Sequence, residues 1–263
     1  MLFLVGCTSC AIFNGEGLMA HKRRTSVGII SSKTFLEIST KTATNALSFT
    51  SFYNNSGTGT IIKHNRETSF ILTAAHICTI AYDKQIQSVF PFYNRIEYNA
   101  SFRRFVEIYD IRADKRQAIA LVWSKQYDLC IMVTLKIDLP ALNLSYSPPY
   151  PGEKIYYIGF PRGIGGGGFT PIFEGFYLGI MQNGKMSRAD VAGYSVPIAP
   201  GSSGSAVLNA NGDIIGVLHS YFPIFEHIGL SATHKQVESI LEEAEKVYEE
   251  SKVPILKELN DKI

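Results

Sequence analysis

Apolar residues in this chain fall into short runs separated by turn-forming clusters. Residues 25–138 contain segments rich in Thr, Val, Ile, Phe and Tyr at 46–53, 59–63, 69–73 and 118–123, broken by Asn54-Asn55-Ser56-Gly57 and Lys63-His64-Asn65-Arg66. Short strands at this spacing predict an all-β sandwich or barrel. Residues 139–153 carry Leu139-Pro140, Pro148-Pro149 and Pro151-Gly152 and read as a linker, and a second strand group follows over 154–233. The period then changes. Val237, Ile240, Leu241, Ala244, Val247 and Tyr248 recur at three- and four-residue spacing with Glu and Lys between them, which predicts an amphipathic helix over 234–263. Thr233 with Gln236 matches a capping box for its start, and Pro254 is expected to end or kink it.

Composition narrows the function classes. With 25 Lys+Arg against 23 Asp+Glu in 263 residues, and Lys22-Arg23-Arg24 as the longest basic block, nucleic acid is not an expected partner. No run approaches the roughly 18 apolar residues of a membrane-spanning helix. Of the four cysteines only Cys7 and Cys10 are close in sequence, so no zinc-like spacing exists and no metal or cofactor is expected. Cys78 and Cys130 sit at or inside apolar runs and are expected to be buried free thiols. Residues 1–24 read as a tail in which Leu4-Val5-Gly6-Cys7 resembles a bacterial lipobox. A cell-envelope lipoprotein is expected if Cys7 follows a true signal peptide, with membrane contact only in that case; otherwise the tail is a short apolar extension of a cytoplasmic protein. The glycine run 165–168 lacks the context of a phosphate loop and reads as a surface loop.

Three segments can carry chemistry. Ile71-Leu72-Thr73-Ala74-Ala75-His76 places a histidine where an apolar strand ends, Tyr127-Asp128-Leu129 sets a carboxylate at the head of another, and Pro200-Gly201-Ser202-Ser203-Gly204-Ser205 packs small residues before a strand. Singly, each reads equally well as a packed histidine, a strand-edge turn residue and a turn. Together they supply a hydroxyl, a base, an orienting acid and backbone N–H donors, which is what nucleophilic acyl transfer needs. The order His, Asp, Ser differs from that of α/β-hydrolases, and Ser205 stands where a GxSxG elbow would require glycine.

With Ser56-Gly57-Thr58-Gly59-Thr60, Gly152-Glu153-Lys154, Ile158-Gly159-Phe160-Pro161 and Asn211-Gly212-Asp213-Ile214-Ile215-Gly216 added, the chain over about 45–240 resembles the trypsin-like (chymotrypsin-fold) serine endopeptidases, particularly the bacterial branch of HtrA/Deg and glutamyl endopeptidases. The resemblance implies two six-stranded antiparallel β-barrels, an all-β fold followed here by the helix. It also implies a protein or peptide substrate, Ser203 as nucleophile, His76 as general base and then acid, Asp128 as the group holding the imidazole, and the N–H groups of Gly201 and Ser203 as oxyanion hole. Only Ser203 has glycines two before and one after it, which ranks it above Ser202 and Ser205. A catalytically silent relative that keeps the cleft as a peptide-binding groove is the alternative.

Several positions depart from the family pattern. Ser202 stands where Asp or Asn is common, and Ile77 rather than Cys follows His76, so the vertebrate-type disulfide there is not implied. His219 falls where relatives carry Ser or Thr, and a bond to Asp128, a place in the specificity pocket and a solvent-facing position all remain open. Glutamyl endopeptidases use a pocket histidine where this chain has Leu218, and no PDZ-like segment is expected after the helix. The pocket base of the family lies at Pro197, flanked by Ile198 and Ala199, which predicts a preference for small or medium aliphatic side chains.

Overall fold

The computed structural model describes residues 26–41, 46–79, 98–165, 169–182, 189–222 and 225–260. The expected tail with Cys7, and residues 166–168 of the glycine run, lie outside them. Strands β1 (Val27–Lys41), β2 (Ala46–His64), β3 (Thr68–Thr73), β4 (Tyr98–Tyr109), β5 (Lys115–Ser124) and β6 (Leu129–Leu135) close one antiparallel barrel in the order β1-β2-β3-β6-β5-β4. A second barrel, ordered β10-β11-β12-β9-β8-β7, is formed by β7 (Lys154–Ile158), β8 (Ile172–Met181), β9 (Val191–Tyr194), β10 (Ala206–Leu208), β11 (Ile214–Phe222) and β12 (Phe225–Ala232). Closure leaves neither sheet with an unpaired edge strand. Two α-helices, α1 (Ala75–Cys78) and α2 (His234–Asn260), and a 3-10 turn at Pro161–Gly163 complete the described elements.

The apolar runs are continuous because the strands are buried on both faces. In β6, Cys130 and Met132 point into the core of the first barrel, while Leu129, Ile131 and Val133 join a second apolar cluster with Phe70, Ile158, Leu208, Val237 and Tyr248. Alternation with period two thus assigns each residue to one of two cores. That shared cluster draws on both barrels and on α2, which packs against β5, β6 and β11. Tyr248 on α2 stacks edge-on against Phe70 at 5.1 Å and accepts a hydrogen bond from the Thr68 hydroxyl at 3.0 Å.

The structure departs from the sequence expectations at four places in the fold. The turn-like residues Asn54 to Gly57 do not break the strand, because each pairs with β1, Asn54 opposite Lys33 and Gly57 opposite Ile30, and the ladder carries the chain straight through. Pro254 does not end α2, which runs on to Asn260 with Ile255 and Leu259 buried, their packing offsetting the lost backbone bond. The capping box is half made, with the Thr233 N–H donating to Gln236 Oε1 at 2.8 Å. Cys78 and Cys130 are not free thiols but a disulfide with Cα atoms 6.5 Å apart. Antiparallel pairing sets Thr73 opposite Cys130, and α1 then turns Cys78 back toward it, a proximity that 52 residues of intervening chain conceal. Closing a loop of that length restricts the unfolded chain by about 4 kcal/mol in the chain-entropy account.

The linker is pinned to both barrels. Leu142 N–H donates to Ile61 O at 2.8 Å, Ser145 N–H to Ile214 O at 2.9 Å, and Ile214 N–H to Asn143 O at 2.8 Å. The buried His234 ring adds a bond to the Ser145 carbonyl. These contacts fix how the barrels face each other.

Candidate active site

His76 leaves the end of β3 on the single turn of α1, and Asp128 occupies the turn before β6. The imidazole Nδ1 lies 2.7 Å from Asp128 Oδ2, the His76 backbone N–H donates to Oδ1 at 2.9 Å, and the Ala75 N–H donates to the Asp128 carbonyl at 3.1 Å. Asp128 therefore caps the turn that presents the histidine. It does so from a left-handed backbone conformation, φ 51°, which a non-glycine residue holds only when its surroundings fix it. Burial pushes the Asp128 carboxyl pKa up, but the hydrogen bond and charge of His76, its backbone N–H and the charge of His219 outweigh this and hold it below the usual carboxylate value.

Ser203 sits between two glycines that the backbone requires. Gly201 and Gly204 have φ of 97° and 87°, and a Cβ at Gly204 would stand 3.1 Å from Ala74 N, so the loop lies directly against the segment leading to His76. The three serines differ in access. Ser202 and Ser205 are fully buried, and Ser205 Oγ has no hydrogen-bond partner among the described residues, whereas Ser203 is partly exposed and lines a cavity. The N–H groups of Ser202, Gly204 and Ser205 are donated to Ala199 O, Leu218 O and Ser202 O; those of Gly201 and Ser203 have no acceptor among the described residues. The Pro200 carbonyl accepts from Arg162 N–H at 2.5 Å, and in a planar trans peptide this turns the Gly201 N–H to the opposite side.

Thr58 ties the two barrels together at this point, a role that sequence reading passed over. Its N–H donates to Ser203 O at 2.8 Å, its hydroxyl donates to Gly201 O at 2.9 Å and accepts from Phe160 N–H at 3.1 Å, and its carbonyl accepts from the Thr73 hydroxyl at 2.8 Å. The only signal in the sequence was its place in the Ser56-Gly57-Thr58-Gly59 motif. Thr58→Val keeps the shape but strips the buried Gly201 carbonyl and Phe160 N–H of their partner, so a loss of about 1–3 kcal/mol is expected. Urea denaturation checks it, and an unchanged midpoint would contradict the clamp.

A cavity of about 370 Å³ adjoins Ser203, lined on one side by Ile198, Ala199 and Pro200 and on the other by Leu218, His219, Ser220 and Tyr221. Ile198, Ala199, Leu218 and His219 thus line one cavity, and Pro197 does not: it is exposed and outside the described lining, with its carbonyl accepting from the Tyr157 hydroxyl at 2.7 Å. Burial pushes that phenol up to about 12, so it stays a neutral donor, though its bond with Ser202 works against the shift. His219 bonds the Ser220 hydroxyl through Nδ1 at 2.8 Å and the Ser231 backbone, and it interacts with Asp128 and His76 through charge. Its burial, the largest influence, holds its pKa below the usual histidine value, leaving it neutral at pH 7. The described residues contain no cluster of metal-ligating side chains.

The trypsin-like peptidase domain family matches residues 57–217. No curated protein matches the chain by sequence. Among solved structures, a serine endoprotease from Yersinia pestis superposes with a TM-score of 0.57 at 16% identity, covering 87% of this chain and 66% of its own. The HtrA-type protease AlgW with a tripeptide gives 0.60 at 16%, covering 86% of this chain and 62% of its own. An inactive form of Rv3671c from M. tuberculosis H37Rv gives 0.57 at 15%, covering 93% and 98%. This chain therefore spans about two thirds of the Yersinia protease, and less of AlgW.

Proposed function

Because the chain belongs to the trypsin-like peptidase family, we propose that it is a serine endopeptidase acting through an acyl-enzyme. The observation that carries this reading is the doubly bonded His76–Asp128 pair beside the one serine of the loop that is both accessible and flanked by left-handed glycines. In the proposed reaction Ser203 Oγ attacks the scissile carbonyl carbon and His76 takes its proton at Nε2, with Asp128 holding Nδ1–H. The carbonyl oxygen, now an anion, accepts hydrogen bonds from the N–H groups of Gly201 and Ser203. As the C–N bond breaks, the imidazolium returns the proton to the leaving amine, and water repeats the sequence to release the acid.

The cavity beside Ser203 receives the side chain preceding the cut. No carboxylate is among its described lining residues, so an Arg or Lys side chain would be desolvated unpaired against them. The neutral His219 offers no positive charge to a glutamate. Apolar burial against Ile198, Ala199, Pro200 and Leu218 remains the source of binding, at roughly 1.5–3 kcal/mol for a Val- or Leu-sized side chain. Profiling on a proteome-derived peptide library, with the Ser203→Ala chain as blank, is expected to show cuts after Val, Ala, Ile or Leu. Dominant cleavage after Arg, Lys or Glu would overturn the pocket assignment, and no cleavage above the blank would overturn the endopeptidase reading.

A further inference from the structure

The disulfide is placed on the candidate pair in a way that the barrel fold does not demand. Cys78 lies two residues after His76 and Cys130 two residues after Asp128, so one covalent bridge joins the two segments that present the imidazole and the carboxylate. The two segments are also linked by hydrogen bonds, from the His76 N–H and Nδ1 to the Asp128 carboxylate and from the Ala75 N–H to the Asp128 carbonyl. α1 is a single four-residue turn whose N-cap, Ala74, makes no side-chain capping bond, and one turn does not hold itself in water. Asp128 in turn keeps its left-handed conformation only through what surrounds it.

We propose that the Cys78–Cys130 disulfide is a positioning clamp for the His76–Asp128 pair, so that full turnover requires the oxidised chain. The proposal rests on the endopeptidase reading above. Both cysteines are buried, so reduction by a small dithiol needs a transient opening around α1. The dithiol's thiolate then attacks one protein sulfur; the S–S bond breaks, and its electron pair stays on the other sulfur, which takes up a proton. The second thiol of the reductant then displaces the first sulfur and closes the reductant's own disulfide. Two electrons and two protons pass to the protein, leaving two cysteine thiols.

Those thiols remain among Ile71, Ile77 and Met132 in the core of the first barrel, where they pack as small hydrophobes, so the barrel persists. What is lost is the covalent tether between α1 and the head of β6, which leaves their spacing to hydrogen bonds and packing. A misplacement of about 1 Å between reacting groups costs on the order of 10² in rate. Substrate binding is built elsewhere, by residues 198–200 and by Leu218 to Tyr221 in the second barrel, and is not touched by the bridge.

The test uses the full chain with Cys7 and Cys10 alkylated beforehand. After treatment with dithiothreitol and confirmation of two new thiols per chain, kcat is expected to fall by about 10²-fold with KM within about twofold. Thermal unfolding should remain cooperative, and reoxidation should restore kcat. Full kcat with both thiols free overturns the proposal. So does a rise in KM that accounts for the loss, or disappearance of cooperative unfolding, since the bridge would then hold the pocket or the barrel instead. The low-field proton resonance of the His76 Nδ1–H, followed by NMR in the Ser203→Ala chain, reads the clamp without turnover and should broaden or vanish on reduction; its persistence also overturns the proposal. A chain inactive in both redox states contradicts the endopeptidase reading, and the resonance still decides the clamp.

Discussion

Replacing Ser203 by alanine is expected to lower kcat by on the order of 10⁶-fold while leaving the fold and its stability nearly unchanged. The loop around it is held by backbone and Thr58 contacts in which the Ser203 hydroxyl has no part: Thr58 N–H to Ser203 O, Thr58 hydroxyl to Gly201 O, and Gly204 N–H to Leu218 O. Loss of a partly exposed oxygen at such a site changes stability by about 0.5 kcal/mol or less. The neighbouring serines supply the contrast. Ser205→Ala removes a buried hydroxyl that has no partner among the described residues, so it should be neutral or slightly stabilising and keep turnover. Steady-state kinetics on the variants, with thermal unfolding alongside, checks both halves. A Ser205→Ala chain that lost turnover while Ser203→Ala kept it would reverse the assignment.

Asp128→Asn is expected to lower kcat by about 10⁴-fold, because it changes the tautomer of His76 rather than its position. The carboxylate accepts from two donors, the His76 N–H at Oδ1 and the imidazole Nδ1 at Oδ2. An amide offers one acceptor. If its oxygen keeps the backbone N–H, its NH₂ faces Nδ1 and places the ring proton on Nε2, where the base must be free. The carboxylate itself is robust to acid. Its pKa lies below the unfolded value, so its contribution to stability is complete above about 3.9 and is lost only as pH falls through the lower folded value. His219, half-buried in the cavity wall, acts earlier: its folded pKa is below that of the unfolded chain, so the stability it contributes is full above about 6.5 and declines as pH falls toward the folded value. Near-normal turnover in the Asp128→Asn chain would remove Asp128 from the proposed triad.

Strand groups, terminal helix and the three chemical segments were legible because each leaves a local trace: apolar runs for doubly buried strands, a helical period for α2, and small residues around Ser203. What stayed hidden depends on partners distant in sequence. Asn54 to Gly57 look like a turn until β1 supplies a partner for each of them. Cys78 and Cys130 look like core thiols until β3 and β6 pair. Thr58 is one polar residue in a Ser-, Thr- and Gly-rich strand until the second barrel brings Gly201, Ser203 and Phe160 to it. Pro197 was placed by counting back from Ser203, but the Tyr157 hydroxyl holds its carbonyl, and the cavity wall begins one residue later at Ile198.

The central claim, an activated nucleophile at Ser203, is tested most directly by a fluorophosphonate probe followed by peptide mapping. The probe reacts only with a serine whose proton a positioned base can accept, so it reports the assembled site independently of substrate preference. One adduct per chain on Ser203 is predicted, absent from Ser203→Ala and strongly slowed in Asp128→Asn. A correctly folded chain that takes up no probe, or carries it on a different serine, would contradict the account.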